Sequence, residues 1–356
     1  MSTTTKHWGG RFFEDFSVGQ RIRHAGALTV TESMATQYRC LTGTRHAVQC
    51  SEPFARSIGF RTCPLDDVLV FKILFGHSVR DISMRAVATL GYGECVFREP
   101  VYPGDTLQSE TVITALGPGP SAQTGLVHVR TTGTNQAGRV VAAFTRWLSV
   151  RRREPAADLA VDTGPAPVLA SAAPAELYLP ADWTVADFDV TVTGSPFLWD
   201  DYQVGERIDH VDGCTIEEFE ATAAARLYQN VAPPHYNAHF MASTDFGRRI
   251  VFVGHLVGLV RALSYNGLSN VFRVAAIDST RHFRATFAGA TVYAWTEVRE
   301  RLELPGRTDI GALRLRSIAT KDLPCDGFPG AGTPDPNDPS LLLAWDYVGL
   351  IPRRQS

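Results

Sequence analysis

The 356-residue chain predicts an α+β protein made of two tandem copies of one unit, each an antiparallel sheet wrapped around a buried helix. Two observations carry this expectation. The first is a repeat: FEDFSVGQRIRHAGALTVTE, Phe13 to Glu32, returns as WDDYQVGERIDHVDGCTIEE, Trp199 to Glu218. Asp15 and Asp201, Gly19 and Gly205, His24 and His210, and Thr29 and Thr215 all match at one offset (201 − 15 = 186). The register persists at Phe97-Arg98 and Phe283-Arg284 and at Gly125 and Gly311, and AFTRWLSVRR at Ala143 returns as AWDYVGLIPR at Ala344 after an inserted, loop-like PCDGFPGAGTPDPNDPS. A repeat of this length marks duplicated domains rather than a solenoid. The second observation is the order of elements in the first copy, one apolar helix and then a run of strands, which closes a core by laying the sheet around the helix.

Taken in order, Arg21 to Val30 alternates apolar and polar residues and reads as a strand pair turning at Ala25-Gly26. Thr31 to Leu41 reads as a helix capped by Thr31, with Glu32 in its first turn. A polar loop, Thr44 to Glu52, and a short helical piece, Pro53 to Ile58, come next. Leu65 to His77, LDDVLVFKILFGH, is apolar on nearly every side, as a buried helix is. Strands are expected at Ala86 to Thr89, Glu94 to Glu99, Thr106 to Ala115, Gly125 to Gly133 and Val140 to Val150, with turns at YPGD and NQAG. The boundaries that follow are 1–153 for the first unit, 154–194 for a Pro- and Ala-rich linker lying on the surface, and 195–356 for the second unit. Two such units side by side cover one another's edge strands.

Composition narrows the function. A hydrophobic content of 44%, a charged content of 20% and a formal charge of −3 describe an ordinary soluble globular protein and give no reason to expect nucleic acid or a membrane as partner. No run is long and apolar enough for a membrane span and MSTTTKHWGGRFF lacks a signal peptide's core, so a cytoplasmic protein is expected. The six cysteines lack any CxxC spacing and read as reduced thiols. No glycine fingerprint for a dinucleotide follows a strand, and no cofactor is expected.

The copies differ most after the first helix of each unit. LTGTRHAVQCSEPF in the first offers only His46; LYQNVAPPHYNAHF in the second presents His235, Asn237 and His239 behind a Pro-Pro pair that should make a stiff loop. The second copy therefore carries the reactive groups. His235 and His239 stand four apart, as zinc-binding histidines do on a helix, but the prolines argue for a loop and no carboxylate or cysteine completes a ligand set, so no metal is expected. Gly254, at the start of RIVFVGHLVGLVRALSYNGL, lets a substrate approach free amides at a helix N-terminus. His255 either extends that site or is a satisfied core histidine. His24 and His210, kept in both copies, read as structural.

The ordered set Phe97-Arg98, YPGDTL at Tyr102, Leu198 to Glu206, GRRIVF at Gly247, AWTEV at Ala294 and PGRTDIGALR at Pro305 resembles the MaoC-like enoyl-CoA hydratases of hot-dog fold, and within them the mesaconyl-CoA hydratases. The resemblance runs from about Phe12 to Arg353. It implies a tandem (double) hot-dog fold and reversible hydration of a branched, carboxylated enoyl-CoA, mesaconyl-C1-CoA giving β-methylmalyl-CoA, by a homodimer. The family's D-x-N-P-x-H loop is laid on HYNAH, with His235 at the aspartate, Asn237 kept, Ala238 for the proline and His239 one residue early. On that placement His235 and His239 share the acid-base work, Asn237 orients water or an imidazole, and Gly254 serves the thioester oxygen. Coenzyme A phosphates and a free carboxylate call for cations, for which Arg248, Arg249, Arg281, Arg284 and Lys321 are candidates. Another enoyl-CoA hydratase, an acyl-CoA thioesterase of the same fold, and a silent acyl-CoA-binding subunit are the alternatives.

Overall fold

The computed structural model of the chain describes residues 6–154 and 169–354. In the first half, β1 (Arg21–Arg23) and β2 (Leu28–Thr29) lead to helices α1 (Glu32–Thr42), α2 (Ala47–Cys50), α3 (Glu52–Ser57) and α4 (Asp67–Ile82), then to β3 (Ala86–Phe97), β4 (Thr106–Pro118), β5 (Thr124–Thr134) and β6 (Val140–Arg151). After α5 (Val190–Thr193), the second half runs β7 (Arg207–Thr215), α6 (Glu218–Leu227), α7 (Pro233–Tyr236), α8 (Ala238–Ala242), α9 (Val253–Leu263), α10 (Tyr265–Leu268), β8 (Arg273–His282), β9 (Thr291–Leu304), β10 (Arg307–Lys321) and β11 (Leu341–Pro352).

Local chemistry sets most of these bounds. Thr31 Oγ1 accepts from Met34 N to start α1, and Gly43, at φ 71°, ends it. The central helix α4 outlasts its expected end at His77 because Val79 and Ile82 keep its buried stripe going. β3 is one strand where LGYGE suggested a break. Its glycines serve close packing instead: a Cβ on Gly91 would lie 2.3 Å from the Trp147 ring, and one on Gly93 2.2 Å from the Asp278 carbonyl. The polar loop expected at Thr44 to Glu52 contains the short α2.

All strands form one antiparallel sheet, ordered β1-β4-β5-β6-β3-β8-β11-β10-β9-β7, with β2 on β4. The halves meet where β3 pairs with β8, from Tyr92↔Thr280 to Val96↔Ala276. Beyond Tyr92 towards Ala86 that pairing stops, and the two strands leave room between them. The repeat is visible in side-chain detail. Arg153 holds Asp15 at 2.8 Å and Arg354 holds Asp201 at 2.7 Å. The Phe13 ring lies where a Cβ on Gly125 would be, and Trp199 does the same at Gly311. His24 and His210 are buried, each with Nε2 2.7 Å from a threonine hydroxyl, Thr111 and Thr296.

The two central helices pack against each other around a buried lysine. Lys72 Nζ sits 4.8 Å from the Tyr38 ring centre and 4.7 Å from that of Tyr228, with Gly258 of α9 making room for it. Burial lowers its pKa to about 7. The described part of the linker is not all at the surface. Leu177, Trp183 and Val185 are buried, and Trp183 lies 4.7 Å from Phe60 and 6.3 Å from Phe272, centre to centre. The rest of the expected linker, residues 155–168, lies outside the described residues.

Several buried histidines are held neutral, which makes acid the weak side of this fold. Burial pushes His77, His210 and His282 down to about 4 from 6.5. The unfolded chain takes up those protons first, near pH 6.5, while the folded chain resists until about pH 4. The stability they contribute is whole above pH 6.5 and is lost as pH falls to 4, at about 1.4 kcal/mol per pH unit for each group. Urea unfolding at pH 7 and pH 5 is expected to show a clear fall in midpoint at the lower pH; equal midpoints would contradict this account.

Candidate active site

The stretch after α6 is not a plain loop. Ala232, before the first proline, is extended, with φ −60° and ψ 130°, as a residue preceding proline should be. Pro233 and Pro234 then occupy the first turn of α7, where a missing N–H costs nothing. Asn237 separates α7 from α8 and caps the latter, its Oδ1 accepting from Phe240 N at 2.9 Å. Its side-chain oxygen is thus spent on the backbone, and Asn237 is not among the residues facing the adjoining cavity.

That cavity, of about 690 Å³, lies between the halves where β3 and β8 part. The first half contributes Phe75 and Val79 of α4, Ala86 to Leu90 of β3, and Arg151; the second contributes Asn230, His235, Phe252, Val253, His282 and Arg284. His235 is well placed. Its Nδ1 lies 2.8 Å from the Ile250 carbonyl, which can only accept, so Nδ1 carries the proton and Nε2 keeps its lone pair. Burial pushes its pKa below the ordinary value, against a smaller opposing effect of that carbonyl. Asn230 is 1% exposed, and its Oδ1 accepts from Ala232 N at 3.1 Å, which leaves its NH₂ as a donor.

The start of α9 closes the same wall. Its N-cap, Phe252, offers no capping side chain, and although the His255 amide donates to the Phe252 carbonyl at 2.8 Å, those of Val253 and Gly254 meet no partner among the described residues. At the equivalent position of the first half stands Asp66, whose Oδ1 accepts from Val68 N at 2.8 Å and blocks that helix start. Gly254 is the second residue of α9, but it packs on Phe252 rather than on the cavity: a Cβ there would lie 2.3 Å from the ring.

Other expected residues lie elsewhere. His239 is exposed on α8, outside the cavity wall, to which that helix contributes Phe240 and Met241 instead. His239→Ala is therefore expected to keep turnover within about twofold, as measured under saturating substrate. His255 is fully buried and bonded at Nε2 to Glu220 (2.5 Å) and at Nδ1 to the Tyr228 hydroxyl (3.3 Å), a satisfied core group in the join between halves. Arg249 is tied to Glu218, Arg248 lies 4.2 Å over Phe287, and exposed Arg281 lies 5.1 Å over Phe283; none lines the cavity. Lys321 pairs with Asp322 at 3.6 Å. Of the expected cations, Arg284 alone reaches the wall. In the first half His46 is buried with Nε2 3.1 Å from the Arg261 carbonyl.

The geometry moves the motif. Read from Asn230, the segment NVAPPH places Asn230 at the aspartate of D-x-N-P-x-H, Pro233 at its proline and His235 at its histidine. Both polar ends of that reading line the cavity, whereas HYNAH brings only His235 there. The retained proline was the signal for this register. Arg151, Asn230 and His282 are cavity residues that the sequence reading passed over.

Comparison with known proteins agrees with this architecture. The family model described as mesaconyl-CoA hydratase matches residues 2–330. A β-methylmalyl-CoA dehydratase of Chloroflexus aurantiacus is 47% identical over 345 residues, 97% of this chain and 98% of that protein. A mesaconyl-CoA hydratase of Cereibacter sphaeroides is 41% identical over 346 residues, 97% and 98% of the two chains. The crystal structure of a MaoC domain protein dehydratase from Chloroflexus aurantiacus superposes with a TM-score of 0.94 at 46% identity, covering 99% of this chain and 100% of that one. A Mycobacterium tuberculosis protein with a double hotdog fold superposes with a TM-score of 0.75 at 24% identity, over 97% and 99% of the two chains.

Proposed function

The chain belongs to the mesaconyl-CoA hydratase family of MaoC-like, double hot-dog hydro-lyases, and from that membership we propose that it reversibly adds water to mesaconyl-C1-CoA (2-methylfumaryl-CoA) to give β-methylmalyl-CoA. The observation that carries the chemistry is the His235 imidazole, fixed by the Ile250 carbonyl with its Nε2 lone pair free beside Asn230 and the open start of α9.

In this reading, the Asn230 amide and His235 Nε2 hold a water over the β-carbon, the carbon that bears the free carboxylate. Water oxygen bonds to that carbon as Nε2 takes its proton, and the alkene pair moves through the α-carbon onto the thioester oxygen. The uncapped amide of Val253, on the cavity wall, stabilises that oxygen. The imidazolium then returns its proton to the α-carbon, which leaves the enzyme unchanged and one water added. Because one group handles both protons, addition is to one face of the alkene.

Arg284 supplies positive charge for the anionic substrate. A homodimer fits the exposed apolar side chains near the site, Val231, Tyr236, Phe240 and Phe246, each 42–52% accessible. A cytoplasmic setting suits six unpaired cysteines.

The test is purified protein with mesaconyl-CoA, crotonyl-CoA and a saturated acyl-CoA, following enoyl absorbance and thiol release together. Loss of the enoyl band without thiol, fastest for mesaconyl-CoA, is expected. Thiol release alone would make the protein a thioesterase, and no change with any substrate would make it a silent binding subunit. Light scattering is expected to give twice the chain mass.

A further inference from the structure

The substrate read above differs from simple enoyl-CoA esters by a carboxylate on the carbon that water attacks, so some group in the cavity must tell the two apart. We propose that His282, at the end of β8, is the residue that reads this carboxylate, donating a ring N–H to it from the wall of the cavity that His235 also lines. The inference rests on the hydratase reading of the cavity.

Three observations place it there. His282 lines the cavity, yet both ring nitrogens are shut off from solvent and neither meets a hydrogen-bonding partner among the described residues. A buried imidazole without partners is costly, and a ligand that completes its hydrogen bonding recovers that cost. Burial also keeps the ring neutral, so it carries one N–H to give.

The position relative to the reactive histidine is the second point. His235 and His282 line the same cavity, His282 from the end of β8. Water held by His235 attacks the carbon that bears the carboxylate, so that carboxylate lies in the cavity that His282 also lines. Arg284, two residues further on, brings positive charge to the same wall. Its guanidinium is held by the carbonyls of Leu341 and Asp338 rather than by a carboxylate.

The third point is the duplicated half. The residue equivalent to His282 is Val96, in a half whose helix start is blocked by Asp66. The strand position itself therefore accepts an apolar β-branched side chain, and the fold does not require the imidazole.

The experiment compares dead-end inhibition by succinyl-CoA and butyryl-CoA, unreactive thioesters of equal chain length with and without a terminal carboxylate. It uses the full-length wild-type protein and the variants His282→Val and His282→Gln. The wild type is expected to bind succinyl-CoA in preference to butyryl-CoA. His282→Val is expected to cut that preference about tenfold or more, the loss of a hydrogen bond to a charged group. His282→Gln, which keeps an N–H donor, is expected to retain part of it, and serves alone if the valine variant does not fold. An inhibitor preference unchanged in a folded variant would overturn the proposal. Turnover by the wild type tests the hydratase reading separately: a wild type that hydrates crotonyl-CoA but not mesaconyl-CoA would sink the substrate assignment whatever His282 does.

Discussion

Replacing His235 by glutamine is expected to lower kcat/KM for hydration by about 10²–10⁴-fold, the range for a positioned acid-base group, with the unfolding midpoint little changed. Glutamine can still donate to the Ile250 carbonyl through its amide, so the turn survives while the basic lone pair is lost. The same imidazole sets the pH dependence. The neutral ring is the working base, and burial holds its pKa below 6.5, so activity stays level from pH 7 downwards and falls only below that value. An acid limb centred above 6.5, or a variant within tenfold of wild type, would remove His235 from the mechanism.

Gly76→Ala is expected to damage both stability and turnover. A Cβ at this position in α4 would lie 1.7 Å from the Tyr228 carbonyl oxygen and 3.1 Å from the carbonyl carbon of Gln229, and backbone cannot rotate aside as a side chain can. Overpacking of this kind costs about 1–3 kcal/mol or more. The displaced segment runs straight into Asn230, so the site shifts along with the core. Urea unfolding and turnover measured together should both fall. A variant that loses neither would mean the two halves separate more easily than the packing indicates.

These residues show why the fold was easier to read than the site. The repeat at one fixed offset, the apolar run of α4 and the turns at YPGD and NQAG are local patterns, and each led to a correct element. The site depends on what the chain meets after folding. Pro233-Pro234 suggested a stiff loop, yet the first turn of a helix accepts both. Asn237 looked reactive but caps α8; His239, one of two attractive histidines, lies on the face of α8 turned to solvent, while Phe240 and Met241 take the cavity side. His282 and Arg151 are more than 40 residues from the motif in sequence or in the other half altogether. Only the parting of β3 and β8 brings them to one cavity.

That junction also bears on how the molecule comes apart. The halves share one sheet through β3 and β8, and Lys72 of the first half is enclosed by Tyr228 of the second. Cutting the chain between the halves would leave an unpaired strand edge on each piece and strand a lysine in an opened core. Although duplicated, the two units are one cooperative object, and unfolding should register as a single transition rather than as two steps with a surviving half.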